Sequence, residues 1–283
     1  MPTQPQPQLD ELMRHIEETW SNLNMLFDDL TAGNRWNQKH GPDWTFADVP
    51  YHLAYCNQEI LIRSLKAGPD LPEDQQELLA SADAVNAWNA RKFAERPAGQ
   101  TAEQSVSQWR ATCAEVRRLV SEMTDADLDR LFWMILFAGW STAREGLEFT
   151  RAHDWSEFMQ LRIHMGRDDP VPSAGVTRAY LHRMLGGFPL FLNWEAAADR
   201  EFTAVIAFTD PGVGAFTIHV ADGSAQLADG ETPGADLVMT ERSVTFLKTL
   251  TKMLDPVEAI QSGLIQVSDF GSLATFGQLF PIP

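Results

Sequence analysis

Apolar residues recur at three- and four-residue steps through Leu9, Leu12, Ile16, Trp20, Leu23, Leu26, Phe27 and Leu30. That spacing predicts a long amphipathic helix, with Gly33 as its stop. A second helical pattern runs through Val49, Leu53, Ile60, Leu61 and Leu65 to Gly68, with Thr45 as its expected N-cap and Asp48 three residues on. Further helices are predicted over Ser81–Glu95, over Thr101–Met123, and from Ser141 or Thr142 to about Gly166. The first 168 residues therefore read as all-α.

The rhythm changes after RDDPVPSAG, Arg167 to Gly175, where two prolines, a glycine and almost no apolar residue predict a linker. One more helix is expected from Thr177 to about Ala198, broken at Gly186-Gly187. Short strands follow at Phe202–Phe208, Ala215–Val220, Ser224–Ala228 and Asp236–Thr240, separated by Asp-Pro-Gly, Asp-Gly and Pro-Gly turns. A β-meander is their simplest arrangement. Helices at Ser243–Met253 and Pro256–Ser262, a strand at Leu264–Ser268 and a helix from about Ser272 complete an α+β pattern. The expected organisation is a helical domain over 1–168, a linker over 169–176 and an α+β domain over 177–283.

Composition narrows the partners. The 283 residues suit two cores, and the formal net charge of -17 is spread over both halves, which disfavours nucleic acid and anionic membrane surfaces. Cys56 and Cys113 lack CxxC spacing, so no disulfide framework is expected and a reducing cytoplasm is the expected compartment. The start of the chain does not read as a signal peptide, and the apolar run Leu131–Trp140 is shorter than the about 20 residues a membrane helix needs. No nucleotide-binding or α/β-hydrolase motif is present.

In the second half, Asp255, Pro256, Ala259, Gly263, Val267 and Asp269 keep the order and spacing of a helix–turn–strand motif, DPxxAxxxGxxxVxD. Asp255 suits an N-cap, Pro256 a first helical turn and Gly263 a left-handed stop. The segment resembles the sterol carrier protein 2 domain. That resemblance implies an apolar tunnel for an acyl or sterol-like ligand, which Met239, Phe246, Leu250, Met253, Ile260, Leu264, Leu273, Phe276 and Leu279 could line. An ordinary packed core is the alternative reading of the same residues.

Two N-terminal segments, DWTFADVPYHLAYCNQE and EGLEFTRAHDWSEFMQLRIH, resemble the DinB/YfiT-like superfamily, which includes mycothiol-dependent maleylpyruvate isomerases. The resemblance implies a four-helix bundle holding a divalent metal, zinc or nickel foremost, on three histidines. It also implies a low-molecular-weight thiol as a cosubstrate. His52 and His153 fall on two of those positions, and Glu157 stands where the third histidine would be. Residues i and i+4 share a helix face, so His153 and Glu157 could reach one ion, and two histidines with a carboxylate suit zinc, iron, manganese or nickel. Alternatively, Glu157 marks a lost site. Glu59 and Glu148 are less well spaced. His164 lies roughly 16 Å of helix rise beyond His153 and cannot share its ion, and His15, His40, His182 and His219 show no partner spacing. Cys56 reads more readily as a small core residue than as a thiol beside a metal, while Trp44 and Trp155 flank the implied site.

The leading expectation is a metal-site bundle joined to an apolar-ligand domain. The alternative is a non-catalytic lipid carrier whose bundle has lost its metal. Limited proteolysis tests the boundary: the first cut should fall within Arg167–Gly175 and leave a tryptophan-rich N-terminal fragment, whereas a first cut within Ser141–Gly166 would overturn it.

Overall fold

The computed structural model describes residues 8–41, 43–73, 76–136, 139–167 and 173–281. The chain divides into two compact units, Met1–Arg167 and Asp168–Pro283. Within the expected linker, residues 168–172 lie outside the described residues.

The first unit is helical. Helix α1 (Leu9–Ala32) buries Leu12, Ile16, Trp20, Leu23 and Leu30 completely, and Gly33 caps it. A two-residue antiparallel ribbon, β1 (Lys39–His40) on β2 (Trp44–Thr45), sets His40 directly opposite Trp44. Helix α2 (Asp48–Cys56) passes into a π-helical turn at Asn57–Ile62 and then into α3 (Arg63–Ala67), so one continuous run ends at Gly68, whose φ is +57°. Thr45 does not cap α2. Ala47 occupies that position, and Thr45 instead donates to Asp48 Oδ2 from both its backbone N–H, at 2.7 Å, and its hydroxyl, at 2.8 Å.

Helix α4 (Ala82–Ala94) is capped by Ser81. Capping boxes open the two longer helices: Thr101 with Gln104 at α5 (Ala102–Ser121), and Thr142 with Glu145 at α6 (Ala143–His164). In each, both side chains satisfy backbone donors that the first helical turn leaves free. Between α5 and α6 the apolar run beginning at Leu131 forms a second antiparallel ribbon, β3 (Leu131–Met134) on β4 (Gly139–Thr142). Helix α1 packs on α6 and α2 on α5, around a core holding Trp20, Trp109, Trp155 and Phe27. No helix among the described residues is long and apolar enough to cross a membrane.

The second unit begins with α7 (Ala174–Leu185), a 3-10 turn at Phe188–Phe191 and α8 (Trp194–Ala197). Its sheet comprises β5 (Phe202–Phe208), β6 (Gly214–Ala221), β7 (Ser224–Asp229), β8 (Leu237–Glu241) and β9 (Ile265–Val267), in the order β7-β6-β5-β8-β9. Only β5, β6 and β7 form the expected meander. Strand β8 crosses back to pair with β5 in parallel, with Ile206 against Met239 and Phe208 against Glu241. Burial decides this: β5 is apolar on both faces and needs two neighbours, while β7 has no fully buried residue and stays at the edge. Helices α9 (Ser243–Leu250), α10 (Pro256–Gln261) and α11 (Phe270–Leu279) follow. The α9 ring of Phe246 and the α7 ring of His182 meet Phe208 and Phe216, so these helices cover the face that both phenylalanines share.

Close packing at the start of α6 is testable. A Cβ on Gly146 would run into the ring of Phe132 on β3, which is fully buried and cannot swing out. Gly146→Ala should therefore cost about 1–3 kcal/mol in urea unfolding of the helical unit. Unchanged stability would show that β3 can yield.

Candidate metal centre

Two helices supply the centre. His52 lies in the middle of α2 and is 5% exposed; His153 lies in the middle of α6. Their Nε2 atoms are 3.0 Å apart. The other nitrogen of each ring fixes what that contact can be. Tyr55 donates its hydroxyl hydrogen to Asn89 Oδ1 at 2.8 Å, so its oxygen accepts from His52 Nδ1 at 2.6 Å. Burial pushes the Tyr55 hydroxyl far above its ordinary range and keeps it protonated. On the opposite side, Asp154 Oδ1 accepts from His153 Nδ1 at 3.0 Å while its Oδ2 accepts from Trp20 Nε1 at 2.6 Å. A carboxylate can only accept.

Both rings are thereby assigned a hydrogen on Nδ1 and a lone pair on Nε2. Two lone pairs 3.0 Å apart repel unless a cation lies between them, either a proton held by one ring or a metal ion. In a tetrahedral zinc site with Zn–N of about 2.0–2.1 Å, ligand nitrogens stand about 3.3 Å apart, so the pair is nearly spaced for ligation. Asp154 beside His153, and Tyr55 beside His52, are the outer hydrogen-bond acceptors that ligating histidines ordinarily have.

Two further donors approach. Cys56, one turn after His52, places its sulfur 3.7 Å from His52 Nε2, and among the described residues His52, Cys56 and His153 form a cluster with ligand atoms within 4.8 Å of one another. Glu157, one turn after His153, brings Oε1 to 3.9 Å from His52 Nε2. Its other oxygen lies 3.9 Å from Nε2 of His40.

The electrostatics follow from burial. Desolvation lowers His52 to about 3, only partly opposed by the Glu157 carboxylate. Burial favours a neutral Glu157, but His40, His52 and His153 outweigh it and hold the carboxyl at about 2. Burial also opposes charge on His153, yet the Cys56 sulfur and Asp154 lift its pKa well above the ordinary histidine value. The Cys56 thiol is raised by burial. His52 and Glu157 are thus ready to donate electron pairs at neutral pH, and His153 is where the stabilising proton resides.

A cleft of about 740 Å³ lies beside this centre, lined by Asp43, Trp44, Asp48, Asn86, Asn89 and Phe93 among others. Of its lining residues, Trp44 has its ring 4.8 Å from that of His52, and Asn89 holds Tyr55. Trp155 is fully buried in the core. Glu59 pairs with Lys92 at 3.4 Å and with Arg63 at 3.6 Å. His164 bonds the Gln160 carbonyl through Nδ1 at 2.9 Å and packs against His40. His40 was missed because it comes from a two-residue ribbon, outside any helical register, and nothing in its spacing points to Glu157. Cys56 could be found, since i to i+4 from His52 puts it on the same helix face.

In the second unit the nine expected lining residues spread widely. Phe246, Phe276 and Leu279 are buried; Met239, Met253, Ile260 and Leu273 are half-buried; Leu250 and Leu264 are 41% and 49% exposed.

Comparison with known proteins places these features. No curated protein matches the sequence. A mycothiol-dependent maleylpyruvate isomerase structure is 13% identical, with 93% of each chain covered and a TM-score of 0.53, which shows a shared fold. A stereoselective inverting sec-alkylsulfatase from Pseudomonas sp. is 18% identical at a TM-score of 0.32, the match covering 71% of this chain and 30% of that one. This chain therefore spans about a third of the length of the alkylsulfatases it matches. A sterol carrier protein 2 structure is 24% identical at a TM-score of 0.27, covering 36% of this chain and 86% of its own. The DinB superfamily matches residues 15–158, which take in most of α1, most of α6 and everything between, and on that match over half its length the chain belongs to the DinB superfamily.

Proposed function

We propose that the helical unit, read as the four-helix bundle of its superfamily, holds one divalent metal ion on His52 and His153, with Glu157 and Cys56 as the donors next in reach. The observation that carries this is the pair of Nε2 atoms facing each other at 3.0 Å, each ring anchored through its own Nδ1, so that a metal ion can take the place of the single proton between them. Nitrogen, carboxylate and thiol together suit zinc or nickel better than magnesium or calcium. A divalent ion at an open site supplies Lewis acidity, polarising a substrate oxygen or lowering the pKa of a bound water or thiol. The cleft beside Trp44 is the route by which a small substrate, or a low-molecular-weight thiol of the kind the isomerase likeness brings to mind, would reach the ion. This chain's own residues orient the histidines through Asp154 and Tyr55, and keep Glu157 ionised.

The second unit is read as a receptor for an apolar acyl or sterol-like ligand. Support comes from the motif residues, since Asp255 caps α10 through the N–H groups of Val257 and Glu258 and Gly263 takes a φ of +76°. It comes also from apolar side chains left in solvent on α9 to α11: Leu250, Val257, Leu264 and Phe270.

Elemental analysis of the purified full chain should find about one equivalent of zinc or nickel. His153→Ala should abolish stoichiometric metal, while His164→Ala should leave it. Glu157→His should tighten zinc binding. Because metal must displace the proton held at His153, affinity should fall about tenfold for each pH unit below that group's pKa, with proton release on binding measurable in weak buffer. Metal-free wild type that gains none as Glu157→His would sink the metal reading and favour a lipid carrier. Native mass spectrometry before and after organic extraction should show loss of an apolar ligand from the same chain; no mass loss and no uptake of a fluorescent fatty acid would leave a packed core.

A further inference from the structure

At the end of β8 the second unit buries an acid that nothing answers. Glu241 is 6% exposed, and its Oε2 is sealed from solvent with no hydrogen-bond partner among the described residues. Register fixes where it points. Residues paired across a sheet share a face, and Glu241 pairs with Phe208 on β5 and Ile265 on β9, while Met239 and Leu237 precede it at two-residue steps. This is the helix-covered apolar face, closed over Phe208 by Phe246 at a ring separation of 5.7 Å.

The neighbouring buried acid behaves differently. Asp210, 8% exposed, accepts from the Ser243 backbone N–H at 2.5 Å and faces the Arg242 guanidinium at 3.4 Å, so its position is explained by tying the turn after β5 to the start of α9. Glu241 has no such task. Burial alone pushes its carboxyl up to about 8, with no charged side chain raising or lowering it. A buried polar group without a partner costs stability that an apolar residue of similar size would not.

We propose that Glu241 receives the uncharged hydroxyl head of a long apolar ligand seated on this face of the sheet. This rests on the apolar-ligand reading of the unit and specifies its ligand class: long-chain alcohols rather than free fatty acids. A protonated carboxyl offers one donor and an acceptor, the complement of an alcohol. An anionic head would be buried beside an acid with no cation to balance it, and an ammonium head would require Glu241 to ionise against its own burial.

The test uses the full-length protein at pH 7, displacing Nile red with 1-hexadecanol, palmitate or hexadecylamine. Hexadecanol should bind at least about tenfold more tightly than either charged analogue, the scale of one buried hydrogen bond kept or lost. Glu241→Leu should lose about tenfold in hexadecanol affinity, keep Nile red binding and unfold at a higher temperature. Glu241→Gln, whose amide both donates and accepts, should keep the alcohol. Equal or tighter binding of palmitate or hexadecylamine, an unchanged hexadecanol affinity in Glu241→Leu, or a lowered unfolding temperature in that variant would each overturn the assignment. Failure of Nile red and all three chains to bind the wild type would instead remove the apolar-ligand reading, and this assignment with it.

Discussion

Asp154 is 1% exposed and sits between α1 and α6, accepting from the Trp20 indole with one oxygen and from the His153 imidazole with the other. A carboxylate so deep is tolerated only with its oxygens engaged, and removing a partner from such a buried arrangement ordinarily costs about 3–5 kcal/mol. The contact therefore fixes how α1 meets α6, and it also fixes which nitrogen of His153 carries hydrogen. Packing and site chemistry rest on the same carboxylate. Because the His153 ring cannot turn without breaking that bond, its Nε2 stays aimed at His52.

The remaining groups are arranged around that fixed ring. Helix α2 brings His52 and, one turn later, Cys56. Immediately after Cys56 the backbone widens into the π turn at Asn57–Ile62, an irregularity that occurs often at functional sites. Glu157 shares a face of α6 with His153, and His40 faces it from β1. The result is a buried cluster in which one carboxylate is shared by two imidazoles and two imidazoles share one interstitial position. Acid and base are neighbours there without neutralising one another's function, since burial keeps His52 without its proton while His153 retains one.

The second unit manages its buried acids in two ways. Asp210 is spent on backbone and guanidinium partners at a chain junction, as most buried carboxylates are. Glu241 is set among Phe208, Ile265 and Met239 with an oxygen unanswered.

The sequence by itself determined the longer helices and the pairing of chemistry within each, but not the two short ribbons β1–β2 and β3–β4 in the half it reads as all-α. Periodicity and capping residues located α1, α5, α6 and α10 to within a few residues, because local hydrogen bonding and 3.6-residue repeats are written in neighbouring positions. For the same reason it put Cys56 on the face of His52, and Glu157 on the face of His153. Tertiary structure alone decided what meets across elements. That β8 inserts beside β5 depends on which strand most needs burial, a property of the assembled sheet. That His40 reaches Glu157 depends on a ribbon too short to carry a pattern. That two histidines about a hundred residues apart face each other through their Nε2 atoms depends on Tyr55 and Asp154, whose partners Asn89 and Trp20 come from other helices, and a hydrogen bond between distant segments leaves no period in the sequence to read.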